Sequence, residues 1–164
     1  MTKIIIVNDQ DEIIDAKDRD ALNPQDIYRV SALWITNSRD EILLAQRHHN
    51  KKHNPMKWGP AVAGTVEEGE TYEENIIKEA EEELGLKNIK PVLSRKTKSD
   101  QKYIHFTQLY TLKLDKDIKE FKIQEDELEG IKWFTPKELE QDLKEHSEIF
   151  LSSVASVLNY LNNK

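Results

Sequence analysis

The chain has 164 residues, enough for one domain with a real core, and its 37% hydrophobic and 34% charged residues suit a polar globular protein rather than a disordered one. A net charge of -7 argues against a general nucleic-acid groove, and the absence of cysteine excludes disulfides, thiolate metal sites and a cysteine nucleophile. The opening MTKIIIVNDQDEII is too short in aliphatics for a signal peptide or a membrane span, and no later run reaches the roughly 20 apolar residues of a spanning helix. The expectation is a cytoplasmic protein with no membrane partner.

In chain order, Ile4 to Val7 and Glu12 to Ile14 read as a small hairpin around NDQD, and Asn23-Pro24 marks a turn. YRVSALWIT, from Tyr28 to Thr36, reads as a mostly buried strand, with Val30, Ala32, Trp34 and Thr36 sharing one parity. SRDE turns the chain into a strand from Ile42 to Gln46, followed by a polar connection from His48 to Lys57 and a short strand from Ala61 to Ala63. A helix is predicted from about Thr71 to Leu84: Thr71 and Glu74 have capping-box spacing, and Gly85 stands where a left-handed C-terminal residue is wanted. Strands follow at Lys90 to Thr97, Tyr103 to Leu114 and Ile131 to Phe134. A helix starts at Thr135-Pro136 and runs to about Glu145, and a last amphipathic helix spans roughly Ser147 to Leu161.

At roughly 100° per residue, Glu82 and Glu83 fall about 60° and 40° to either side of Glu79, beside an apolar arc of Ile76, Ile77, Ala80 and Leu84. Like charges at these spacings disfavour a helix by about 0.2–0.5 kcal/mol per pair, and a hard divalent cation reverses the sign. Taken alone, such a face is more often simply solvated.

The wider spacing decides between the two readings. Gly64, Glu70, Lys78, Glu79, Ala80, Glu82, Glu83, Gly85 and Leu86 resemble the signature of the Nudix hydrolases, with Lys78 in the place of an arginine. Pro55 to Trp58 resembles the Pro-x-x-Trp approach to that signature, and Gln124 to Leu139 the family's late strand and helix. The N-terminal segment is most like the branch that includes isopentenyl diphosphate isomerase. The likeness covers about residues 27–140.

The resemblance implies an α/β/α sandwich with a mixed sheet. The expected organisation is a single domain over 1–164, with an N-terminal hairpin extension (1–26), a core (27–140) and a C-terminal helix (147–161). It also implies a magnesium- or manganese-dependent hydrolase that cleaves a diphosphate linkage in a nucleoside diphosphate derivative or similar small molecule by metal-activated water. On this reading Glu82 and Glu83 bind metal, while Glu79 binds metal or helps deprotonate the water. Glu70 either braces its loop or joins a metal shell through water, and Gly64 lets the loop turn and its backbone approach the metal-bearing face. The family's arginine holds a catalytic glutamate with a bidentate fork; Lys78 keeps the charge but not that shape.

A further catalytic glutamate is expected in the acidic run before the last strand, with Glu127 first choice and Glu125 second. Arg47 is a candidate phosphate contact and Trp58 a candidate stacking residue. His48, His49 and His53 read as loop residues, without box-type zinc spacing. His105 reads as a sheet histidine that could reach the site. The alternative functions are a non-enzymatic nucleotide-binding module and, against the missing cysteine, an isomerase. The N-terminal hairpin and the last helix are candidate homodimer interfaces.

Overall fold

The computed structural model describes residues 2–162; Met1 and residues 163–164, which the expected domain includes, lie outside the described residues. Strands β1 (Ile4–Val7) and β2 (Ile13–Lys17) form the expected N-terminal hairpin, and β3 (Ile27–Thr36) is the spine of a nine-stranded sheet. The others are β4 (Ile42–Arg47), β5 (Trp58–Pro60), β6 (Val62–Thr65), β7 (Val92–Asp100), β8 (Ile104–Lys113) and β9 (Leu128–Phe134). Helices α1 (Tyr72–Leu84), α2 (Pro136–Glu145) and α3 (Ser152–Asn162) complete the fold.

One edge of β3 runs parallel to β8 over ten residue pairs, from Ile27 opposite Ile104 to Thr36 opposite Lys113. The other edge is shared by three antiparallel partners in turn: β1 at Tyr28, β6 from Val30 to Leu33, and β4 at Ile35 and Thr36. Beyond those two rungs β3 and β4 splay apart. The chain from Trp58 to Thr65 crosses the gap, pairing with β4 as β5 and with β3 as β6. A cleft opens where the sheet divides.

Alternation along β3 sorts the core into two layers. Leu33 and Ile35 pack with Ile76, Ala80 and Leu84 of α1, whereas Ala32 and Trp34 pack with Leu139 of α2 and Val154, Val157 and Leu158 of α3. The sheet is therefore covered on both faces, as the α/β/α expectation requires.

Helix α1 is delimited by its own sequence. Thr71 Oγ1 accepts from the Glu74 N–H at 3.1 Å, the Glu74 carboxylate accepts from the Thr71 N–H at 3.4 Å, and Gly85 closes the helix at φ +68°. Strand β2 runs on to Lys17 and β7 to Asp100, each past its expected end, and three further boundaries differ for a visible reason. The segment read as one strand around Ala61 is two strands, because Ala61 is where pairing switches from β4 to β3. Strand β9 begins at Leu128, three residues earlier than its apolar run suggests. The last helix is interrupted: a single 3₁₀ turn at Ser147–Ile149 precedes α3, and between them the Leu151 N–H donates to the Trp58 carbonyl at 2.8 Å. An amphipathic pattern continues through Phe150, which is buried, but the backbone there bonds to β5 instead of to itself.

Candidate active site

The cleft in the divided sheet has a volume of about 1360 Å³ and is lined on one side by Glu79, Glu82 and Glu83 of α1. Gly64 sits opposite the first of these. A Cβ built there would lie 2.5 Å from Glu79 Cγ and 3.0 Å from Asn75 Oδ1, so only glycine lets β6 approach the helix this closely. Gly64 is not among the residues at positive φ. Of the two roles expected of Gly64, the close backbone approach is present, and a turn at positive φ is not.

The base of α1 is locked by a chain of polar contacts. Ser31 Oγ donates to Asn75 Oδ1 at 2.5 Å, and Asn75 Nδ2 donates to the Thr65 carbonyl at 3.0 Å and to Glu70 Oε2 at 2.9 Å. Lys78 Nζ donates to the other Glu70 oxygen at 2.6 Å and to Glu67 Oε2 at 3.0 Å, and stands 3.9 Å from Glu79. Both oxygens of Glu70 are thus engaged by protein, the geometry of a brace. Lysine meets the demand that a fork would meet, by spanning two carboxylates with one ammonium, and those carboxylates hold its pKa above the usual lysine range despite partial burial. Asn75 was not singled out in the sequence; an asparagine on the otherwise apolar side of α1 is the signal that could have found it.

The clustered carboxylates of α1 disfavour one another electrostatically. Glu83 is 8% exposed, and burial, then the neighbouring Glu79 charge and hydrogen bond, then Glu127, push its pKa up to about 9. Burial also raises Glu79, which shares a hydrogen bond with Glu83 and feels the charge of Glu82. A divalent cation fits this donor set: it would offset the mutual repulsion of the carboxylates and let them act as anionic ligands.

Across the cleft, the loop before β9 places Glu127 on the wall, paired with Lys51 from the β4–β5 connection. Arg47, at the end of β4, also lines the cleft; its Nε donates to the His53 carbonyl at 3.0 Å, and it faces Glu127 and Glu83. Glu125, the second choice, is exposed and is not on this wall. Trp58 does not join the wall either. It packs edge-on against Phe134 at 5.5 Å, in the layer under α2 and α3, because β5 turns its ring to that face. His105 lines the cleft beside Tyr28, with ring centroids 5.2 Å apart, and burial lowers its pKa.

Two features were not legible. Tyr28 of β3, Arg95 of β7, and Lys102 and Tyr103 of the connection between β7 and β8 line the same cleft. His48 and His49 meet Glu129 with ligand atoms all within 4.8 Å of one another, His49 Nδ1 lying 3.0 Å from Glu129 Oε2. This group is largely exposed.

Among known proteins, an uncharacterized Nudix hydrolase of Nostoc is 34% identical over 49% of this chain and 49% of its own length. Another, YfcD of Shigella flexneri, is 26% identical over 92% of this chain and 83% of its own. An isopentenyl-diphosphate Delta-isomerase of Klebsiella pneumoniae is 27% identical over 54% of this chain and 50% of its own. The chain spans about half the length of the first curated relatives it matches. The crystal structure of DR0079 from Deinococcus radiodurans superposes with a TM-score of 0.79 at 24% identity, covering 96% of this chain and 98% of that one. The NUDIX domain profile matches residues 27–153, and on that match this chain belongs to the Nudix domain family.

Proposed function

We propose that the protein is a divalent-metal-dependent hydrolase that cleaves a diphosphate linkage in a nucleoside diphosphate derivative or similar small molecule, with magnesium or manganese as its ion. The observation that carries this reading is the placement of Glu79, Glu82 and Glu83 together on one wall of the cleft, with burial and mutual repulsion raising the pKa values of Glu79 and Glu83. Burying two carboxyls side by side is costly for a protein unless something doubly positive relieves them.

A bound cation would neutralise charge on the phosphate oxygens and acidify water. Glu79, Glu82 and Glu83 would hold it, and the Lys78, Glu70 and Asn75 contacts keep α1 against β6 so that these carboxylates stand on one wall. Arg47 and Lys51 are cations on the opposite wall, in reach of an anionic substrate. In the reaction a water oxygen bonds to phosphorus as the bridging P–O bond breaks. The water's proton passes to Glu79 or Glu127, and the bridging oxygen leaves with the other phosphoryl group. Engagement of both Glu70 oxygens favours its reading as a brace over a place in the metal shell.

The isomerase reading lacks the catalytic cysteine it expects, since the chain has no cysteine. The binding-module reading drew on Lys78, whose contacts with Glu67 and Glu70 leave the glutamate cluster anchored. The test is a product-resolved hydrolysis screen of diphosphate compounds with magnesium and manganese. Metal-dependent release of a monophosphate product is expected; ligand-dependent thermal stabilisation with no product under either metal would replace the hydrolase by a binding protein.

A further inference from the structure

Outside the cleft, the end of β4 meets a bulge in β9. Gln46 pairs with Gly130 and Arg47 with Leu128, so Glu129 between them has no partner residue on β4. A bulge of this kind re-aims the side chain it carries. Past it the two segments continue together: the His48 N–H donates to the Glu127 carbonyl at 3.2 Å, and the His49 N–H donates to the Glu129 carboxylate at 3.0 Å. The Lys51 N–H then closes a turn on the His48 carbonyl at 3.1 Å. These bonds fix the backbone from which both imidazoles and the carboxylate project.

Three metal-ligating groups converge there. One ligand atom from each of His48, His49 and Glu129 lies within 4.8 Å of the other two, and His49 Nδ1 is 3.0 Å from Glu129 Oε2. The two rings lie against each other, tilted by 32° with centroids 4.1 Å apart. The bonds of a tetrahedral zinc site set its ligand atoms about 3.3 Å from one another, so side-chain movements of about 1.5 Å close this set around one ion. The His49 side chain is 58% exposed and that of Glu129 33%, which lets an ion enter and keep water. The donors also differ in kind from the α1 glutamates. Oxygen ligands alone suit magnesium, calcium and manganese, whereas imidazole suits zinc, nickel and copper. None of the three residues lines the cleft. Glu129 stands 80 positions from His49, which is why the histidine spacing by itself carries no zinc pattern.

We propose that His48, His49 and Glu129 form a second metal site, with two imidazoles and one carboxylate holding a borderline divalent ion of the zinc type and water filling its remaining positions. The site goes beyond the hydrolase reading and does not depend on it. Its structural effect is a clamp that joins the β4–β5 connection to β9. That connection supplies Lys51, Lys52, His53 and Asn54 to the cleft, and Lys51 pairs with Glu127, two residues before Glu129. An ion at the bulge therefore fixes the outer end of the cleft wall.

Zinc itself is the probe, titrated by calorimetry into untagged protein in the presence of excess magnesium. One zinc per chain is expected, and the Glu82→Gln/Glu83→Gln double variant should retain it. His48→Ala, His49→Ala and Glu129→Gln should each weaken zinc binding by about 100-fold or more, since even partners outside a metal shell cost about 10- to 100-fold. His53→Ala, a change in the same connection, should leave it unaltered. In nitrogen-15 spectra of the wild-type protein, zinc should shift the imidazole resonances of His48 and His49 and not those of His53, His105 and His146, the other histidines of the chain. That assignment needs no substitution, so it decides the matter even where a variant fails to fold. Absence of zinc uptake in excess magnesium, uptake that disappears in the Glu82→Gln/Glu83→Gln variant, shifts centred on another histidine, or undiminished affinity in folded His49→Ala and Glu129→Gln would each overturn the proposal. Zinc uptake at these residues without hydrolysis of any diphosphate compound would keep the site and defeat the hydrolase reading, whereas hydrolysis without uptake would do the reverse.

Discussion

The two faces of the sheet are built on opposite terms. Toward α1, the buried polar groups are satisfied by one another, from Ser31 through Asn75 and Glu70 to Lys78 and Glu67, and the difficulty lies in excess negative charge at Glu79 and Glu83. Toward α3, the layer is apolar, and the difficulty lies in donors left over at Trp34 and Arg95. An orphaned buried donor costs about 1–3 kcal/mol. One face therefore carries clustered carboxylates open to the cleft, and the other carries donors closed off from it.

The largest expected effect comes from the clustered carboxylates. Glu82→Gln and Glu83→Gln should each lower metal-dependent hydrolysis by about 100-fold or more, since even partners outside the metal shell cost about 10- to 100-fold. Glu83→Gln should at the same time raise the thermal midpoint of the metal-free protein at pH 8, because it removes a charge that the fold disfavours. A variant that lost stability instead would show that the carboxyls are a structural pair.

Next in size is a pH-dependent effect. The folded-state pKa of Glu83 is raised from 4.5 to about 9, so between those values the folded protein keeps a proton that the unfolded chain has released, and stability falls as pH rises through that window. A cation that takes the proton's place removes this loss. The stabilisation by magnesium, about 2.7 kcal/mol at a hundredfold excess over its dissociation constant, should therefore be smallest near pH 5 and largest near pH 9 in melts at fixed metal concentration. A gain that does not vary with pH would separate Glu83 from the ion.

Gly64→Ala is expected to cost about 1–3 kcal/mol by overpacking, because the new methyl meets Glu79 and Asn75 side by side. Activity should fall with stability, and an equally stable variant with full activity would mean that β6 and α1 can part freely. The smallest effect is at the brace. Lys78→Ala should lower stability by about 1 kcal/mol in chemical denaturation, and Lys78→Arg should retain it, the ammonium being partly exposed.

How much was legible varies with the range of the interaction. Capping residues Thr71 and Glu74, left-handed Gly85 and Pro136 at the start of α2 act within a few positions of themselves, and those helix ends stand where the sequence puts them. The glutamate cluster is equally local, being a property of one helix. Trp58 shows the limit. Gly59, Pro60 and Ala61 line the cleft, but the orientation of β5 puts the Trp58 ring under α2 and α3, and no nearby residue announces that. The break before α3 has the same origin, a backbone contact between Leu151 and Trp58, far apart in the chain.

By itself the sequence determined membership in the Nudix family, the helix that presents three carboxylates and the alternation that buries β3 on both sides, because spacing and periodicity encode local geometry directly. Only the tertiary structure decided that Lys78 bridges Glu67 and Glu70, that burial beside one another raises the pKa values of Glu79 and Glu83, and that Arg47 and Glu127 stand on the same cleft as the helix carboxylates. Each of these depends on residues from different strands and helices, and their distance and dielectric surroundings exist only once the splayed sheet has been assembled.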